Sequence, residues 1–246
     1  MLLLFLALLT AGPQPAPENG RDVVQLMHEQ YADSWYGALA FTQRTLFYRG
    51  PDQPPTEQFW HETMAIPGGL HIRYGSTDSG NATLFAGDKQ YTFREGELAK
   101  ETPLVHPLLV LGFDVYRQAP ETTLSQLESL GVNLDLLYET TFNGRAVYVV
   151  GARRGDETAT QFWVDKELLV FVRMIRVEKG KNQVQDFVFA DYQPFGGAWI
   201  APTVLFYVDG QLVMREEYQD LRVPESVDAR LFDPATAMDG TWPEGT

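Results

Sequence analysis

The 246-residue sequence contains no cysteine. That absence excludes disulfides, thiolate metal sites, a cysteine nucleophile and an acyl anchor on a cysteine. Positive charge is also scarce: 19 Lys and Arg stand against 33 Asp and Glu, for a formal charge of −14. A chain this acidic repels phosphate backbones and anionic lipid surfaces, so nucleic acid is not an expected partner. No apolar run reaches the roughly 20 residues that a membrane-crossing helix needs, and no transmembrane anchor is expected. The G-x-S-x-G, H-E-x-x-H, P-loop and G-x-G-x-x-G patterns are all missing. The acidic residues read as a solvated surface, and neighbours such as Glu216 and Glu217 alternate across a strand without converging. No catalytic residue, metal or cofactor is expected, and the protein is read as a binder and not an enzyme.

What is present is a short apolar leader and a large apolar remainder. Met1 to Leu9 reads MLLLFLALL, followed by the small residues Ala11 and Gly12 and a Pro-rich stretch from Pro13 to Pro17. The run has the length of a signal h-region, although no Lys or Arg precedes it. Residues 1–17 are therefore expected to be a secretory signal peptide and 18–246 a single domain. With no cysteine to acylate, the expected location is the periplasm, as a free and unlipidated protein.

Residues 18 to 38 carry an apolar stripe at Val23, Val24, Met27, Tyr31 and Trp35, with Asp22 as the expected N-cap and Gly37 as the terminator. Thirteen short strands are expected after it: Leu39–Tyr48, Glu57–Ile66, Leu70–Gly75, Ala82–Ala86, Gln90–Arg94 and Glu97–Glu101, then Leu134–Phe142, Arg145–Ala152, Thr158–Asp165, Leu168–Val177, Val184–Tyr192, Trp199–Val208 and Leu212–Leu221. Asn143-Gly144 and Asp209-Gly210 are the residue pairs that type I′ hairpins prefer. Hairpin connections predict one antiparallel sheet in sequential order. Between the two meanders lies an apolar segment, Leu104–Tyr116, interrupted by Pro107 and Gly112, and then an amphipathic helix over Pro120–Leu130. The apolar segment either covers a cavity mouth or packs as core. The polar tail from Asp239 is expected to be loose. So many strands cannot stay flat, and several are apolar on both faces. The fold class is therefore mainly β with a few helices (α+β), a curled antiparallel half-barrel of about 11–13 strands lidded by helices.

His61, Glu62 and His71 could form a cross-strand cluster, but half-exposed strand histidines explain them better, and His106 reads as a packed core histidine. Aromatic residues, 15 Phe, 11 Tyr and 5 Trp, run through the strands and suit the walls of an apolar ligand site.

These residues carry a resemblance. Phe41-Thr42-Gln43 opens the first strand after an amphipathic helix. Trp60, Glu62-Thr63, Pro67-Gly68, Leu84-Phe85, Gly87-Asp88 and Tyr91 follow, then Phe162-Trp163-Val164-Asp165, Val172-Arg173 and a final Tyr207, Asp209-Gly210, Glu217-Tyr218 hairpin. Over residues 22 to 235 this order resembles the periplasmic outer-membrane lipoprotein carriers, the LolA-like family, as a divergent member. The resemblance implies a chaperone-like transport protein that binds lipid, taking the acyl chains of a lipoprotein into an apolar cavity. It also implies inner- and outer-membrane partner proteins. The cavity and lid residues it points to are Phe41, Phe47, Trp60, Met64, Ile72, Phe85, Leu108, Leu109, Leu111 and Phe113. The family's lid-holding arginine has no counterpart in Met64-Ala65-Ile66-Pro67, which leaves Arg44 and Arg73 as substitutes. The alternative is an envelope sensor or interaction module on the same fold, without transport.

Overall fold

The computed structural model describes residues 16–50, 52–178, 180 and 183–243, so all but the last two residues of the expected signal peptide lie outside the described residues. The first helix, α1 (Gly20–Tyr31), starts one turn earlier than the sequence suggests. Its N-cap is Asn19, whose side-chain oxygen accepts the N–H groups of Arg21 and Asp22 while the Asp22 carboxylate accepts the N–H of Asn19. Asp22 is thus the third helical residue of a capping box rather than the cap, because its carboxylate at that position returns the hydrogen bond to the cap N–H. The helix stops at Tyr31, well before Gly37, and the released chain stacks Trp35 on Tyr36, ring centroids 5.2 Å apart.

Strands β1 (Ala38–Phe47), β2 (Thr56–Ala65), β3 (Gly69–Tyr74), β4 (Ala82–Ala86), β5 (Lys89–Arg94) and β6 (Glu97–Pro103) form the first meander. Next come α2 (Pro107–Gly112), a 3-10 turn (Asp114–Tyr116) and α3 (Pro120–Ser129). The second meander is β7 (Leu137–Phe142), β8 (Arg145–Val150), β9 (Gln161–Asp165), β10 (Phe171–Glu178) and β11 (Gln183–Ala190). A small hairpin of β12 (Gln193–Phe195) and β13 (Ala198–Ile200) follows, then β14 (Thr203–Val208), β15 (Gln211–Arg222) and a 3-10 turn (Ala229–Phe232). The expected strand Trp199–Val208 is split at Ala201-Pro202, since proline brings no N–H to a ladder.

Thirteen of these strands make one antiparallel sheet, but not in sequential order: β6-β5-β4-β3-β2-β1-β15-β14-β11-β10-β9-β8-β7. The first and last long strands pair, Gln43 opposite Tyr218 and Thr45 opposite Glu216. The central helices occupy the break between β6 and β7, which become the two free edges. The sheet is a curled half-barrel and does not close. The hairpins Asn143-Gly144 and Asp209-Gly210 have positive φ at all four residues, as type I′ turns require.

The two halves of the concave face are filled differently. The second meander receives α1, which approaches so closely that a Cβ on Gly20 would stand 2.3 Å from Val150. Tyr31, Trp35 and Tyr116 pack beside it, with Trp35 and Tyr116 stacked at 3.7 Å. That half is solid. On the convex face a C-terminal strap covers β3 and β4, so the tail is not loose over its described part. Leu231 is fully buried, Arg73 donates to the carbonyls of Ala237 and Met238, and Trp242 packs on His71.

Candidate functional site

Alternation along the strands brings Phe41 and Gln43 of β1, Trp60, Glu62 and Met64 of β2, and Ile72 and Tyr74 of β3 onto one concave wall. Phe85 of β4, and Met214, Glu216 and Tyr218 of β15, extend it. Over this wall lies α2, which presents Leu108, Leu109 and, just past its end, Phe113. A cavity of about 240 Å³ remains between them. Of the ten residues expected to form cavity and lid, eight line it: Phe41, Trp60, Met64, Ile72, Phe85, Leu108, Leu109 and Phe113. Phe47 stands outside, its ring 6.1 Å from that of Trp60, and Leu111 is fully buried in the core instead. The apolar segment is therefore both core and roof. Its helix begins because Pro107 is pre-shaped for a first turn and His106 caps it, the Nδ1 of His106 accepting the N–H of Leu109 at 3.1 Å. The His106 ring lies edge-on to Phe85 and lines the cavity, and burial lowers its pKa to about 4, so it is neutral there.

The turn that follows the roof is tied to the sheet twice, once by the N–H of Phe171 in β10, which donates to the Tyr116 hydroxyl at 3.0 Å. The second tie is the N–H of Gly68, in the turn after β2, which donates to the Asp114 carboxylate at 2.9 Å. Neither substitute arginine reaches the roof. Arg44 pairs with Glu57 and Glu217, and Arg73 donates to carbonyls on the convex side. Both occupy strand positions that alternate away from the cavity residues Gln43 and Ile72. The same alternation separates His61 and His71 from Glu62, and no group of three metal-ligating side chains occurs among the described residues.

Two acids lie in the cavity wall and not on the solvated surface expected for the acidic residues in general. Glu62 and Glu216 are 4% and 9% exposed, and both line the cavity. Burial pushes the Glu216 carboxyl up to about 8, against the pull of nearby Gln43 and Tyr218. Burial also raises Glu62, and the charge of Glu216 raises it further. The signal for them was present in the sequence. Glu62 alternates with Trp60 and Met64, and Glu216 with Met214 and Tyr218, so each acid sits at an apolar position of its strand.

No protein-family model matches the chain, and no curated protein matches it. Solved structures do. A crystal structure described as an outer membrane lipoprotein-sorting protein domain from Vibrio parahaemolyticus superposes with a TM-score of 0.61 at 16% identity, covering 89% of this chain and 98% of that one. A DUF1329 family protein from Desulfovibrio piger gives a TM-score of 0.58 at 15% identity, over 88% of this chain and 96% of that one. A LolA superfamily protein from Nitrosomonas europaea gives 0.55 at 12% identity, over 87% and 97%. This coverage shows that the chain shares the fold of these structures, the LolA superfamily protein among them.

Proposed function

We propose that this protein is a periplasmic carrier that holds a hydrocarbon chain, the acyl chain of a lipoprotein or of another lipid, in the cavity beneath α2. The observation that supports this reading is the cavity itself. It is walled by Phe41, Trp60, Met64 and Ile72 and roofed by Leu108, Leu109 and Phe113. Each methylene moved from water into such a space contributes about 0.8 kcal/mol, so affinity needs no catalytic group. At about 240 Å³ the cavity is smaller than the roughly 300–1,000 Å³ of drug-sized ligand sites, and it suits one slender chain. The sorting domain from Vibrio parahaemolyticus and the LolA superfamily protein agree with a carrier on this fold. Membrane-associated donor and acceptor proteins would load and unload it. Among the described residues no helix is long and apolar enough to cross a membrane. Native mass spectrometry of protein purified from its own envelope tests the reading. Co-purifying acyl species are expected. Lipid-free protein that also fails to bind a fluorescent alkyl probe would overturn it and favour the sensor alternative.

A further inference from the structure

Lipid cavities need only apolar walls, and this one has two carboxyls in its wall. Glu62 projects from β2 and Glu216 from β15, with β1 between them. Among the described residues, Glu62 accepts no hydrogen bond. Among the described residues no Lys or Arg lines the cavity, and its histidine, His106, spends its Nδ1 lone pair on the α2 cap. The other polar groups on the wall are neutral: Gln43, Tyr74, Thr83, Gln90 and Tyr218. Gln43 gives one amide hydrogen to Thr45 at 2.9 Å, and Tyr74 gives its hydroxyl hydrogen to Thr83 at 2.9 Å, so neither donor is spent on Glu62.

An unpartnered acid costs stability when buried, and a protein retains one where a ligand completes it. Three kinds of head group can be weighed against this wall. A carboxylate or phosphate brings no donor and keeps the wall acids from ionising. A hydroxyl brings one donor and no charge. A primary ammonium brings three donors and the missing positive charge. The net charge of −14 favours the approach of cations and disfavours anions.

We propose that the Glu62–Glu216 wall is a head-group subsite for a primary-ammonium amphiphile, a hydrocarbon chain with a basic amine at its end. This rests on the reading of the cavity as a hydrocarbon site and specifies which lipid class it selects. Burial raises both acids, and an ammonium that displaces the proton of Glu216, at about 8, would supply the positive charge that an ionised carboxylate lacks there.

Three probes of equal chain length separate the ideas: dodecylamine, dodecanol and dodecanoate, each competing with a fluorescent alkyl probe on the purified protein at neutral pH. The expected order is dodecylamine tightest, by tenfold or more over dodecanol, with dodecanoate weakest. In the double variant Glu62→Gln, Glu216→Gln, checked for folding by circular dichroism, the three probes should converge to within about threefold. Equal binding of all three by the unaltered protein would leave the hydrocarbon site standing and overturn the head-group subsite. Dodecanoate binding as tightly as dodecylamine would overturn it as well. Failure of all three to bind would overturn both readings. Because the unaltered protein decides the ranking, a misfolded double variant would not rescue the proposal.

Discussion

Leu109 and Leu111 lie two residues apart in α2 but bury their side chains against different things. Leu109 meets the cavity, whereas Leu111 is fully enclosed by core. Leu109→Asp should therefore weaken alkyl-probe binding more than tenfold, and Leu111→Asp should chiefly unfold the protein, because a carboxylate there has no water and no partner. Probe titration and thermal melting, run on both, distinguish them; equal melting temperatures would contradict the placement. A gentler check is Met214→Trp, which fills the cavity from the β15 side without adding charge, and which should weaken the probe while changing stability by about 1–3 kcal/mol. At this scale the apolar wall was legible, because Phe41, Trp60, Met64, Leu70 and Ile72 fall on alternating positions of β1, β2 and β3. The acids were not. Convergence of Glu62 and Glu216 requires β1 to pair with β15, a contact between residues more than 150 positions apart that local periodicity does not contain. Leu111 was misplaced for a simpler reason: in a short helix whose residues are all buried, apolarity does not say which face meets the cavity.

The roof, α2, is an element that must both close and release. Its fastening to the β2–β3 turn runs through one hydrogen bond, from the N–H of Gly68 to Asp114, and burial pushes that carboxyl up to about 7. Asp114→Ala removes the acceptor and should cost about 1 kcal/mol of stability while speeding probe entry and exit. Asp114→Asn keeps an acceptor oxygen and should retain the closed roof. Stopped-flow release rates measure the difference, and equal rates in the three proteins would show that the roof is held elsewhere. Gly112 serves the same element by closeness, since a Cβ there would lie 2.9 Å from the Phe189 ring. The strands and their turns were readable because Asn143-Gly144 and Asp209-Gly210, each set between two strand patterns, take the positive φ of a hairpin, whereas Asn19-Gly20 opens a helix instead. Their order in the sheet was not readable, because hairpin chemistry specifies neighbours in sequence and says nothing about which ends of two meanders will meet.

For the whole molecule, the buried ionisable groups act in opposing directions on stability. His71 and His106 have pKa values lowered to about 4, chiefly by burial, so both are neutral in the fold and charge more readily when it opens. Their contribution is complete above about 6.5, the unfolded value, and is lost as pH falls towards 4. Asp114, at about 7, and Glu216, at about 8, are raised, so the fold holds their protons while the unfolded chain releases them near 4. Their contribution is complete below the unfolded carboxyl values and is lost as pH rises to 7 and 8. Between about 4 and 6.5 the two tendencies oppose one another. Above about 6.5 only the acids still change, and each takes away up to about 1.4 kcal/mol per pH unit until its folded value is passed. The melting temperature should thus vary little from about pH 5 to 6.5 and fall between 6.5 and 8. Glu216→Gln should flatten most of that upper limb, because Glu216 alone of the two acids with these values titrates past 7. A melting temperature that rises through the same interval would mean that the carboxyls in the cavity wall are already ionised and solvated in the closed protein.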